Sequence, residues 1–207
     1  MPATWPVPGP RNDPPEPWRD GMSMRRAGLL FAALILPGSG ACRQHAASGP
    51  ARSASEVEQL FLADQADRTP PADGRQLTDA EFQAVGARDL ARLARAKELY
   101  RHNLLSTPRD YYHAAVILQH SWDSTTAADD HLLAHELAII AFVGKVPGAG
   151  YLVAASEDRF LQDDLHRKQR FGTQFPPDSG LEAGEGVTDS LRARFDVPSL
   201  ATLRARH

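Results

Sequence analysis

An all-α fold is predicted by three observations: four spaced helix-start signals, apolar runs with helical periodicity, and no run alternating with period two over enough residues to form a strand. The start signals are Ser55 with Glu58, Thr78 with Glu81, Thr107 with Pro108 and Asp110, and Thr126 with Asp129. Each sets a side-chain oxygen ahead of the segment and an acidic residue three positions later, where it meets unpaired amides and the positive end of the helix dipole. The first helix is expected from residue 56 to just before Thr69-Pro70-Pro71, the second from 79 to His102-Asn103, and the third from 108 to about His120. The fourth should run from 127 to Gly144, where glycine would supply a left-handed stop, and the fifth from about Ala149 to Leu165. The expected architecture is therefore antiparallel helical hairpins, about five main helices, with a short C-terminal helical appendage.

Residues 56–176 form the expected helical domain and 177–207 a loop with short helices near 188–195 and 199–206. In that appendage Leu191, Phe195, Val197, Leu200 and Leu203 would cover one side of the bundle. The stretch AHELAIIAFVGKVPGAGYLVAAS resembles one unit of the tetratricopeptide and Sel1-like helical hairpins, with small residues spaced for close helix crossing. One unit supports paired helices but not a repeat array.

The chain has 207 residues, 42% hydrophobic and 24% charged, enough for one core. A formal net charge of −3 gives no basic footprint, so nucleic acid is not an expected partner. One cysteine excludes an internal disulfide scaffold and zinc-ribbon ligand sets. That cysteine, Cys42, ends the segment MSMRRAGLLFAALILPGSGAC, which has two arginines, an apolar run from Ala27 to Leu36, and small residues before the cysteine. This is the order of a bacterial export signal over residues 22–41. The apolar run is about half of the ~20 residues a spanning helix needs.

Ser39-Gly40-Ala41-Cys42 resembles a lipoprotein signal, with serine where an aliphatic residue is usual; this implies a lipid on Cys42, a membrane anchor and a place at the cell envelope. Plain cleavage after Ala41, giving a secreted or periplasmic chain, is the alternative. Residues 1–21 are Pro- and Trp-rich without apolar periodicity and read as an upstream start, with Met22 or Met24 expected as the true one. Residues 42–55 are small and polar, as expected of a tether.

Several polar groups fall on helices expected to be buried. On a helical wheel Glu136 shares a stripe with Leu132, Ile139 and Val143, so a buried carboxylate would need a partner, with Arg159 the best candidate. His131 and His135 are four apart, the spacing by which a helix offers two imidazoles to a metal. With His120 at the neighbouring turn, His113 deeper, and Glu136 or Asp130 alongside, a metal site is one expectation. HLLAHE is not a zincin motif, because its glutamate follows the second histidine. Histidines satisfied by hydrogen bonds within the core are the alternative.

DQADR (Asp64 to Arg68), ILQHS (Ile117 to Ser121), the AHELA run, EDR (Glu157 to Arg159) and KQRFGTQF (Lys168 to Phe175) occur in this order. The pattern resembles that of a bacterial family known as a domain of unknown function, whose motifs read QxDR, QH, DR and KxQxYGTQ. The chain departs from it at Phe171, where the family often has tyrosine. The resemblance spans about residues 56–176 and implies no particular reaction or cofactor. It does mark Asp64, Asp67, Arg68, Gln119, Asp158, Arg159, Gln169, Gly172, Thr173 and Gln174 as candidate ligand-binding residues.

Two readings of that set are open. In one, these residues line a pocket in which His120 or His135 acts as base and Arg68 or Arg159 holds an anion, with His120, His135 and Glu136 as catalytic candidates. In the other they are a buried network pinning the helices, with Asp67–Arg68 and Asp158–Arg159 as ion pairs. The charges of the second helix, including KELYRH (Lys97 to His102), read as a solvated face. The functional expectation is a helical module at the cell envelope, binding an unknown ligand or envelope protein. A hydrolase-like enzyme with a His/Glu site, with or without metal, is the alternative.

Overall fold

The computed structural model describes residues 55–69, 71, 74–122, 125–174 and 186–205. Cys42, the export segment and the tether before Ser55 lie outside the described residues. The order is α1 (Glu56–Asp67), α2 (Asp79–Arg101), α3 (Pro108–Gln119), α4 (Ala127–Val143), α5 (Ala149–Arg159), a π-helical turn (Phe160–Asp164), α6 (Asp189–Arg194) and α7 (Leu200–Arg204). No strand occurs among the described residues. The fold is all-α, with five main helices and a short helical C-terminal part.

The caps explain most of the boundaries. Thr78 and Glu81 exchange hydrogen bonds in a capping box, as do Thr107 and Asp110, with Pro108 in the first turn where its missing N–H costs nothing. Ser55, Thr188 and Ser199 each accept an amide two or three residues into their helices. Thr126 does not cap α4 as expected: its hydroxyl donates to Asp130 Oδ2 at 2.7 Å. Gly144 is not the left-handed stop either. Its φ is −74°, and the left-handed positions of this turn are Lys145 (φ 58°) and Gly148 (φ 81°), the N-cap of α5. Position 144 requires glycine for space, since a Cβ there would run into the Pro108 ring.

That contact sets the end of α4 beside the start of α3, so the two helices run antiparallel, and α5 returns along α4 in the same way. At their far ends His131 near the start of α4 meets Asp164, beyond the end of α5. By contrast α1 and α3 run parallel. Ser55 bonds Asp110 at their N-terminal ends, and Asp64 meets His120 at their C-terminal ends.

Helix α3 is the central element, packed on α1, α2, α4 and α5, and Ala114, Ala115, Ile117 and Leu118 are buried among them. Helix α4 turns a narrow stripe of Ala134, Leu137, Ala138 and Ala141 inward. Small residues there let the backbones approach closely. The predicted stripe is therefore on the wrong side: Leu132, Ile139 and Val143 are exposed, Val143 at 75%, and Glu136 is exposed with them. Glu136 does not pair with Arg159. Apolar residues surround most of α4, so periodicity alone could not tell which face pointed inward. Hydrophobic count was a poorer guide here than residue size.

The α2 charges are not simply a solvated face. Arg92 and Leu99 are buried, Arg88 and Arg92 pair with Asp67, Arg95 pairs with Glu56, and Lys97 bonds Asp130 at 2.7 Å. Of the appendage residues, Val197 and Leu203 are buried and Phe195 packs on both core clusters, while Leu191 stays at the surface. The last turn predicted for α5 widens into the π-helical turn, where Leu165 N bonds Phe160 O at 3.2 Å. No helix among the described residues is long and apolar enough to cross a membrane.

Candidate functional site

Parallel packing of α1 and α3 places their C-terminal ends together. Arg68 is the C-cap of α1 and His120 the C-cap of α3, so both sit where helix dipoles favour positive charge. Asp64, one turn before Arg68, is almost wholly buried and lies 3.1 Å from His120 Nδ1 and 2.8 Å from Arg68 Nη1. Burial works against the Asp64 charge, yet the hydrogen bond from His120 and the Arg68 guanidinium hold its carboxyl below the ordinary carboxylate range. Burial pushes His120 below the usual histidine value; Asp64 pulls the other way, while Arg68 and Arg159 push further down. The consistent state is an ionised Asp64 accepting from Nδ1–H of a neutral imidazole, since a carboxylate can only accept.

Arg68 also reaches Asp89 with both guanidinium nitrogens at 3.3 Å. Asp67 turns away from Arg68 to Arg88 and Arg92, at 2.6 and 2.7 Å, and these hold its carboxyl down at about 2. The expected Asp67–Arg68 pair is thus replaced by a network between α1 and α2.

A second cluster is built on the end of α5. Asp158 is fully buried and accepts from the amides of Arg170, Phe171 and Thr173 and from the Thr173 hydroxyl, at 2.6 to 2.9 Å. Burial pushes its carboxyl above the ordinary range while these donors pull it back. It pairs with the loop rather than with Arg159. Gly172 takes φ 79°, the left-handed conformation that lets 170–173 curl around one carboxylate. Gln169 clamps the loop: its Nε2 donates to Gln174 O at 2.6 Å and to Gln162 Oε1 at 2.5 Å, and its Oε1 accepts from Gln174 N at 2.8 Å.

Arg159, only partly buried, donates through Nη2 to Gln174 Oε1 at 2.7 Å. Burial lowers its pKa from the ordinary arginine value; Asp163 and Asp164 counter this, and the Arg68 charge adds to it. The charges of Arg68 and Arg159 thus both reach His120, which joins the two clusters electrostatically.

The remaining candidates go elsewhere. His131 faces Asp164 Oδ2 at 2.7 Å through Nδ1 and Ser121 O at 3.0 Å through Nε2, so both nitrogens meet acceptors. His135 faces Val153 O at 3.1 Å. With His120 held by Asp64, the three rings are tied to three separate partners. Among the described residues no group of three or more His, Cys, Asp or Glu is placed to hold a metal ion. His113 stacks on Phe61, with centroids 4.4 Å apart. Gln119 is buried next to His120, and its Oε1 has no hydrogen-bond partner. Glu136, on the outer face of α4, joins none of these groups.

Two concavities lie away from the Asp64–His120 pair, the second of them bordering the 170–173 loop. One of about 550 Å³ opens at the opposite end of α1 and α3, beside Ser55, Thr107, Asp110 and Lys145. The other, about 390 Å³, is a groove between His135, Phe142, Val153, Phe171 and Phe195.

Sequence reasoning missed Arg192. It is 1% exposed and donates to the carbonyls of Arg170, Phe171 and Val187, fastening the 170–173 loop from beneath. It also missed Arg92, although the i, i+4 spacing of Arg88 and Arg92 opposite an acidic helix was a usable signal.

Fold and site together define an all-α domain whose polar side chains gather from α1, α3, α5 and the following loop. Scans against family models, curated proteins and solved structures each return no match to this chain.

Proposed function

We propose that this is an exported, lipid-anchored domain of the bacterial cell envelope that binds a small ligand at the cluster of Asp64, Arg68, His120, Arg159 and Gln174. The observation that carries the reading is the buried Asp64–His120 pair within electrostatic reach of two guanidiniums supplied by different helices. The motif resemblance marks the same residues. Burying such groups is costly, and two guanidiniums acting on one histidine add to that cost. Membership of the domain-of-unknown-function family is part of this proposal, as are the signal peptide and the lipid on Cys42.

The test is thermal melting of the full chain against a panel of small metabolites. A ligand at a hundred times its Kd adds about 2.7 kcal/mol, and the expected stabilisation disappears in His120→Gln. A panel that stabilises neither protein, or both equally, would overturn the binding role. For location, Cys42→Ser is expected to release the protein from membranes.

One observation favours a hydrolase-like alternative: Asp64 fixes His120 in the tautomer a general base requires. Glu136 has no place in such a site. Hydrolysis of a chromogenic ester or phosphoester panel, lost in Asp64→Asn, would support it.

A further inference from the structure

Among the guanidiniums of the interior, Arg159 stands apart. Arg68 and Arg92 each pair with two carboxylates, and Arg192 is wrapped by three carbonyls and Asp189. Arg159 has one hydrogen bond, to the neutral amide oxygen of Gln174, and among the described residues no carboxylate lies within ion-pair distance of it. Its Nε is enclosed with no partner. Its Nη1 makes no hydrogen bond either, but is not enclosed. The nearby Asp164 is already engaged by His131, and Asp163 is exposed at the surface.

Gln174 holds one edge of the fork in place. The amide is itself fixed, with Nε2 donating to Ala155 O at 3.0 Å and its backbone N–H to Gln169. Arg159 is thus oriented in advance by a neutral group, and its charge, though within the field of Asp163 and Asp164, has no direct ion-pair partner among the described residues. Arg68, whose own charge is met by Asp64 and Asp89, adds positive potential without competing for a partner. A guanidinium so placed recognises a planar or tetrahedral oxyanion through charge-assisted hydrogen bonds.

Resting on the ligand-binding reading above, we infer that the ligand carries a carboxylate or phosphate group and that Arg159 is its anchor. Gln174 positions the anchor, and the neutral His120 lies within reach of the anion's field. The rival account is that Arg159 serves only to pin the 170–174 loop through Gln174.

The experiment follows the Nε–Hε resonance of Arg159 in the full-length protein by ¹⁵N–¹H correlation. Inorganic phosphate and acetate are titrated in turn, with chloride at matched ionic strength as the control. Triple-resonance assignment of the native protein identifies the resonance. A saturable shift with phosphate or acetate, absent with chloride, is the expected result; which of the two acts distinguishes a phosphate from a carboxylate ligand. Arg159→Lys, which keeps the charge without the fork, is expected to bind the same anion about 10-fold more weakly or worse, read as the anion concentration needed for thermal stabilisation.

Because the readout is in the native protein, misfolding of a variant leaves the test intact. No saturable shift with either anion overturns the inference and leaves the pinning role. If a neutral compound from the panel stabilises the protein through His120 while both anions fail, the binding reading survives and the ligand class is wrong. If nothing binds, both fall.

Discussion

Asp64 and His120 meet at 3.1 Å across 56 residues of sequence, both side chains buried, at the ends of two parallel helices. The pairing decides how the protein responds to acid. A histidine held below its unfolded value of about 6.5 is protonated first in the unfolded chain. Its contribution to stability is therefore complete above that pH and falls as pH drops through 6.5 toward the folded value. Asp64 acts later, because its folded carboxyl is depressed; its contribution stands above about pH 4 and is lost below. Urea denaturation between pH 7 and 5 is expected to show the first decline. His113 is lowered by burial as well, so His120→Gln should lessen the slope without removing it, and an unchanged slope would contradict the neutral-histidine assignment.

Asp67 gives a separate acid signature. Its carboxyl lies at about 2, against about 3.9 when unfolded, which corresponds to about 2–3 kcal/mol at neutral pH. Arg88 is half exposed, so salt should trim this figure. Asp67→Asn is expected to cost up to that amount at pH 7 and much less near pH 2, measured as the change in denaturation midpoint.

Gly144→Ala tests the α3–α4 seam. A methyl group there meets the Pro108 ring, which has no flexible end to move aside. The expected loss is about 1–3 kcal/mol, as for overpacking, even though alanine is ordinarily the better residue for the local φ. A neutral or stabilising outcome in thermal melting would show that the seam is loose.

Asp158→Asn should loosen the 170–173 loop. The amide can still accept, but its NH₂ faces donors, and losing bonds to a charged acceptor costs about 2 kcal/mol. Proteolysis within the loop should accelerate while the α3–α4 core stays protected.

Helix boundaries were legible because caps are local: Thr78–Glu81 and Thr107–Asp110 close as read from spacing alone. Proximity is what the structure adds for the motif residues: Asp64 meets His120, and Arg159 meets Gln174. Partnership was not legible. Asp67 chose Arg88 and Arg92 over its neighbour Arg68, because adjacent residues on a helix point 100° apart. Glu136 was placed inside because α4 offers apolar residues on most of its surface, and the inward face was chosen by alanine size. Arg192 escaped notice because its partners are backbone carbonyls, which leave no mark in a sequence.

The parallel arrangement of α1 and α3 has a mechanical consequence. Helices α3, α4 and α5 follow one another through short turns, whereas α1 brings Asp64 and Arg68 to His120 from the far side of a long excursion through α2. Local hairpins close quickly, and distant pairings close last. Helix α1 is also the first described element after the N-terminal segment, so tension applied from that side loads it before any other. Peeling α1 away would strip His120 of its carboxylate and uncover the face of the core that Val57 fills, so the dyad exists only while the N-terminal helix is docked.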